Sequence, residues 1–146
     1  MGFDLVAKRR DLGKEGYFRA PIFSMMFLRS AMLAAGVREE LVCKKFIAND
    51  GYLVTPLQAR TIAEQLNAWL KGSKLRIDLA EENKDAGWAN DLALRALEAL
   101  GTREQKSAAA HLRRAKSAPV RLKRGLRRFV REFAVFCERS GGFWVY

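Results

Sequence analysis

The side chains best placed to do chemistry in this sequence are cations. Arg113, Arg114, Lys116, Arg121, Lys123, Arg124, Arg127, Arg128 and Arg131 crowd into one short stretch. A guanidinium fork matches two oxygens of a phosphate, and arginine outnumbers lysine here, so the chemistry on offer is recognition of a polyanion. The charge is also local. Residues 103–131 hold 11 Lys+Arg against one acidic residue, whereas residues 1–102 hold 15 against 13 and residues 132–146 hold one against two. Nearly all of the net charge of +11 therefore sits in that stretch.

Its periodicity predicts a helix over 119–139. On a wheel of about 100° per residue with Arg121 at zero, Leu122, Leu126, Phe129, Val130, Phe133, Phe136 and Cys137 fall between about 60° and 180°. Arg121, Lys123, Arg124, Arg127, Arg128 and Arg131 fill about 200° to 360°, an arc whose only acidic residue is Glu138. Like charges at these spacings repel, so a stripe of this kind favours an anionic partner over accident. Solvated surface, or pairing with the acidic cluster Glu81, Glu82 and Asp85, is the plainer reading of the same residues. Nothing in the stripe encodes base readout: zinc-finger spacing and RNA-recognition aromatics are missing.

Catalysis has little to work with. His111 is the only histidine, set among alanines and beside Arg113 and Arg114, and reads as helix surface or a phosphate neighbour. Glu39-Glu40 and Glu81-Glu82 are adjacent in sequence and so point different ways on a helix. Gly141-Gly142 has no helix after it and reads as a helix stop rather than a phosphate loop. Cys43 and Cys137 lie in apolar surroundings and read as unbridged thiols, a bridge between them being the alternative that the sequence leaves open. No metal, no cofactor and no enzymatic activity are expected. Trp144, with Phe143 and Tyr146, forms a stacking platform if the final segment is exposed.

The elements that would position these residues read mainly as helices. Residues 1–20 lack helical spacing and form an irregular arm with a short strand at Phe3–Val6. Pro21 suits the first turn of an apolar helix that runs to Ala35 and stops at Gly36. Arg29 in the middle of this run argues for a buried helix over a membrane span. A short helix follows at 38–45, then Asn49-Asp50-Gly51 signals a turn, with a small β-hairpin over 46–54 as one outcome. Thr55-Pro56-Leu57-Gln58 is a capping box with proline at the first helical position, and its helix stops before Gly72. Further capping boxes at Asp78/Glu81 and Thr102/Gln105 open helices to Leu100 and about Lys116, the first weakened at Gly87. Ser117-Ala118-Pro119 restarts the chain. Gly141-Gly142 ends the last helix, leaving an apolar tail to pair as a strand or fold back.

These elements predict a mainly α, single-domain bundle of about five or six helices over 1–146, with a basic helical region at 103–131. The opening MGFD, Gly16-Tyr17-Phe18-Arg19, the Asn49-Asp50-Gly51 turn and the ending FxxFCxxSGGF resemble a loose group of small phage and prophage proteins without assigned activity. That resemblance implies a host-takeover or counter-defence role, for example anti-CRISPR-like, acting on a nucleoprotein machine in the bacterial cytoplasm. The expectation is thus non-catalytic binding of nucleic acid, DNA or RNA, or of a nucleoprotein complex. The alternative is a protein–protein inhibitor or adaptor that meets an acidic protein surface. No secretion signal or membrane partner is expected.

Overall fold

The computed structural model describes residues 2–73, 75–77, 102–103, 106, 120–121 and 124–146. Alternation sets the first element: Phe3 and Leu5 are buried while Asp4 and Val6 turn the other way, so Gly2–Ala7 forms strand β1. A 3-10 segment, Arg10–Gly16, turns the chain back into β2, Tyr17–Pro21, which pairs antiparallel with β1. The arm is therefore a hairpin, longer and more regular than its sequence predicts. Pro21 closes β2 and stands just before helix α1, Ile22–Ala34, instead of within its first turn.

Helix α1 buries Met25, Leu28, Ala31 and Met32, and Arg29 is only 5% exposed among them. Its end follows the predicted glycine stop. Gly36, at φ 87°, lets its own amide donate to Leu33 O at 3.0 Å and that of Val37 to Met32 O at 2.9 Å. Buried Val37 then closes against the turn it terminates. No helix among the described residues is long and apolar enough to cross a membrane.

Helix α2, Glu39–Lys45, leads to strand β3, Tyr52–Val54, and then to α3, Pro56–Leu70. The Thr55 side chain accepts from Gln58 N at 3.3 Å and Thr55 N donates to Gln58 Oε1 at 3.0 Å, completing the predicted box. Lys45 Nζ reaches the same Oε1 at 3.0 Å and also donates to Leu53 O, which fixes α2 to the entry of α3. Helix α4, Arg124–Arg139, lies against α3 and the sheet. Ser140 ends it, donating to Cys137 O at 3.0 Å and accepting from Gly142 N at 3.2 Å, and the chain finishes in β6, Phe143–Val145.

Three expectations are overturned. The mainly α bundle gives way to an α+β arrangement, because β1, β2, β3 and β6 form one antiparallel sheet in the order β2-β1-β6-β3. The hairpin at 46–54 does not form: Phe46 is fully buried at the end of α2, and Tyr52–Val54 pairs with Phe143–Val145 instead. The last helix starts at Arg124, since Val120–Arg121 is a strand, β5, whose backbone is committed to β4, Arg76–Ile77. A helix cannot use amides that a ladder already holds.

The core lies between the inner sheet face and α1, α3 and α4. Phe133 of α4 is at its centre, with ring centroids 5.4 Å from Phe18, 6.3 Å from Phe46 and 6.2 Å from Phe143. Helices predicted over 78–100 and on to 116, Gly87 and the break at 117–119 lie outside the described residues, apart from one turn. There Lys106 N donates to Thr102 O at 2.9 Å, as a helix beginning after Thr102 requires.

Candidate nucleic-acid interface

Helix α4 realises the predicted split of faces. Val130, Phe133, Ala134, Phe136 and Cys137 are buried and Leu126 and Phe129 half-buried, while Arg124, Arg128 and Arg131 are exposed. Leu122 lies outside the described residues. The apolar arc faces α3 and the sheet, and the cations face water.

The cationic arc is narrower than the wheel implies. Arg121 belongs to β5, so it does not continue the helical face. Arg127 turns back over the end of α3, where its Nη2 donates to Leu70 O at 2.5 Å and Gly72 O at 2.6 Å. A cation at that point satisfies the last carbonyls of α3 and complements the negative end of its dipole, so its work is structural. Arg128 Nε is 2.9 Å from Glu132 Oε1, one turn on, with both side chains largely exposed. Such a pair is worth a few tenths of a kcal/mol, about 0.3–0.5, and a phosphate can displace it. Arg124 and Arg131 have no acidic partner among the described residues. Arg113, Arg114, Lys116, Lys123 and His111 lie outside those residues, as do Glu81, Glu82 and Asp85, while Arg103 and Lys106 are exposed.

A second set of cations, which sequence reasoning did not single out, sits on the arm. Lys8, Arg9, Arg10 and Lys14 are exposed around the 3-10 segment, and Arg19 is on β2. Arg9 holds Asp11 at 2.5 Å, and this hydrogen bond keeps the Asp11 carboxyl below its ordinary range. Arg139 at the end of α4 reaches Glu15 at 3.1 Å, which ties this basic arm to the helix. The sequence signal was the run Lys8-Arg9-Arg10, muted by the acids that alternate with it.

The outer sheet face carries the aromatic residues. Register places Tyr17, Val6, Trp144 and Leu53 in one row across four strands, all on the side away from the core. Beside it, Asp4 pairs through its backbone with Tyr146 and stands opposite Arg19. The Tyr17 hydroxyl donates to Asp4 Oδ1, and Arg19 Nε approaches the same oxygen at 3.7 Å. That hydrogen bond pushes the Tyr17 phenol pKa up, with burial and the Asp4 charge adding to it. Of the predicted platform, Trp144 and Tyr146 are 37% and 49% exposed, whereas Phe143 is fully buried.

The described residues contain no group of three His, Cys, Asp or Glu side chains arranged to hold a metal ion. No disulfide joins Cys43 and Cys137, and burial pushes the Cys137 thiol well above its ordinary pKa. No family model, curated protein or solved structure matches the chain.

Proposed function

We propose that this chain is a non-catalytic protein that binds nucleic acid, free or within a nucleoprotein complex, by phosphate contacts along the outer face of α4. The observation that carries this reading is the disposition of Arg124, Arg128 and Arg131. They stand exposed on the side of a 16-residue helix opposite its buried face, in a chain whose net charge of +11 is concentrated around them. Arginine at these positions offers paired donors to phosphate oxygens, and none of the three is needed by the core. The phage-like signatures at both ends of the sequence fit a counter-defence role aimed at a nucleic-acid-bound machine.

The test is the salt dependence of binding to a random-sequence DNA duplex. Each neutralised phosphate contributes a slope of about −0.9 in log affinity against log salt, so replacing all three arginines by glutamine should flatten the slope by about 3. Binding should weaken equally for unrelated sequences, since phosphate contacts position without specifying. A folded triple variant that keeps its affinity and slope overturns the reading.

A further inference from the structure

The outer face of the sheet has no occupant among the described residues, and its chemistry selects one. Neighbouring strands lie about 4.8 Å apart, which separates Tyr17 from Trp144 by about 10 Å with Val6 between them. Tyr17 is 48% exposed, Val6 38%, Trp144 37% and Tyr146 49%, so two rings of one row and a third in the next reach solvent on one surface. Exposed cations border this sheet at the end where β1 turns into β2, where Asp11 and Glu15 are each paired with an arginine. Lys8 follows β1 directly, Arg10 and Lys14 lie on the turn that joins β1 to β2, and all three are exposed. Asp4, the carboxylate that stands beside this row among the described residues, is already engaged by the Tyr17 hydroxyl and by Arg19.

The geometry points to this face as a stacking platform for a single-stranded segment of nucleic acid, its bases lying on Trp144 and Tyr17 and its phosphates on the rim cations. The inference rests on the reading of this chain as a nucleic-acid binder and goes beyond it by naming a second surface, separate from α4, and a strand state. Exposed aromatic rings on an open antiparallel sheet suit unpaired bases, because every base has a face to stack, whereas a duplex hides those faces. An apolar protein partner fits less well. It would have to bury Arg19 and Asp4 along with the rings, and burying charge is costly. The Tyr17–Asp4 hydrogen bond also holds the Tyr17 ring in one position before any ligand arrives, which reduces the ordering cost of binding.

Fluorescence anisotropy with labelled oligothymidylate and oligouridylate, run beside the random duplex used for α4, separates the possibilities. Trp144→Leu should weaken single-strand binding by about 5- to 150-fold, the range for one lost base–aromatic stack, and leave duplex binding unchanged. Trp144→Phe should keep most of the affinity, and Tyr17→Leu should reproduce the selective loss if Trp144→Leu fails to fold. Single-strand affinity that is unmoved by Trp144→Leu, or lost equally with phenylalanine in its place, overturns the proposal. Duplex binding without any single-strand binding overturns this inference and spares the α4 reading. A flat response of duplex binding to the α4 substitutions does the reverse.

Discussion

The guanidinium of Arg127 sits across the end of α3, donating to the carbonyl oxygens of Leu70 at 2.5 Å and Gly72 at 2.6 Å. Residues 57 and 55 positions apart in the chain are joined by one side chain. The same residue type three positions earlier or four later, Arg124 or Arg131, faces water. Arg127→Gln should therefore cost about 1.5–3 kcal/mol, the range for hydrogen bonds that involve a charged group, while Arg124→Gln and Arg131→Gln stay within about 0.5 kcal/mol. Urea denaturation of the three variants measures this, and equal midpoints would remove Arg127 from its structural role.

Phe133 makes the sharpest demand on the core. It is fully buried, with Phe18, Phe46, Phe136 and Phe143 around it. Phe133→Ala should lower stability by about 3–5 kcal/mol, because four facing rings leave a cavity that cannot collapse easily. Thermal unfolding followed by circular dichroism gives the comparison, with Arg124→Ala as the surface control.

Two glycines on α4 and its exit should respond in opposite directions to alanine. A methyl group at Gly142, at φ 91°, would stand 2.8 Å from Val54 O and 3.0 Å from Pro56 N. Both the backbone conformation and those contacts oppose it, so Gly142→Ala should destabilise by more than about 1 kcal/mol. Gly125 lies in the first turn of α4 with nothing within 4 Å of the added carbon. Gly125→Ala should stabilise by about 0.5 kcal/mol by reducing the freedom of the unfolded chain. Chemical denaturation that shifts both midpoints the same way would contradict this account.

Alkaline pH should lower the stability of the fold in part through Cys137. Burial raises the thiol pKa in the folded chain above its ordinary value of 9.0. The unfolded chain releases that proton first. This contribution to stability is therefore complete below about pH 9 and is lost as pH rises beyond it towards the folded pKa. Cys137→Ala should remove that part of the alkaline decline. Thiol-reactive reagents should also modify half-buried Cys43 well before Cys137, and equal labelling rates in the folded protein would contradict the burial.

Features written in adjacent residues were legible in the sequence. The Thr55–Gln58 box, the Gly36 stop and the buried arc of α4 each depend on spacings within a few turns of helix. What escaped depends on partners far along the chain. The sequence leaves Phe143–Val145 open between a strand and a folded-back tail, and what decides for the strand is that Leu5, Val6 and Ala7 on one side and Tyr52, Leu53 and Val54 on the other receive it. Val120 looks like the start of a helix until Ile77 claims it. A helical wheel likewise places Arg127 among the outward cations, because it cannot see carbonyl groups at the end of another helix. The outer aromatic row was half legible: alternation separates Trp144 from Phe143, but only the register shows that Tyr17 shares its row.

The position of β6 between β1 and β3 also dictates when this protein can fold. During synthesis the hairpin β1–β2 and the segment Tyr52–Val54 emerge early, yet they share no ladder until residues 143–145 clear the ribosome and slot between them. Until then Phe3, Leu5 and Val54 have no completed sheet to bury them, and the nascent chain presents open strand edges of the kind chaperones bind. Sheet closure is thus a late event, slowed by the long stretch of chain it must close. Without residues 143–145 the segment Tyr52–Val54 has no neighbour in this sheet and cannot join the β1–β2 hairpin.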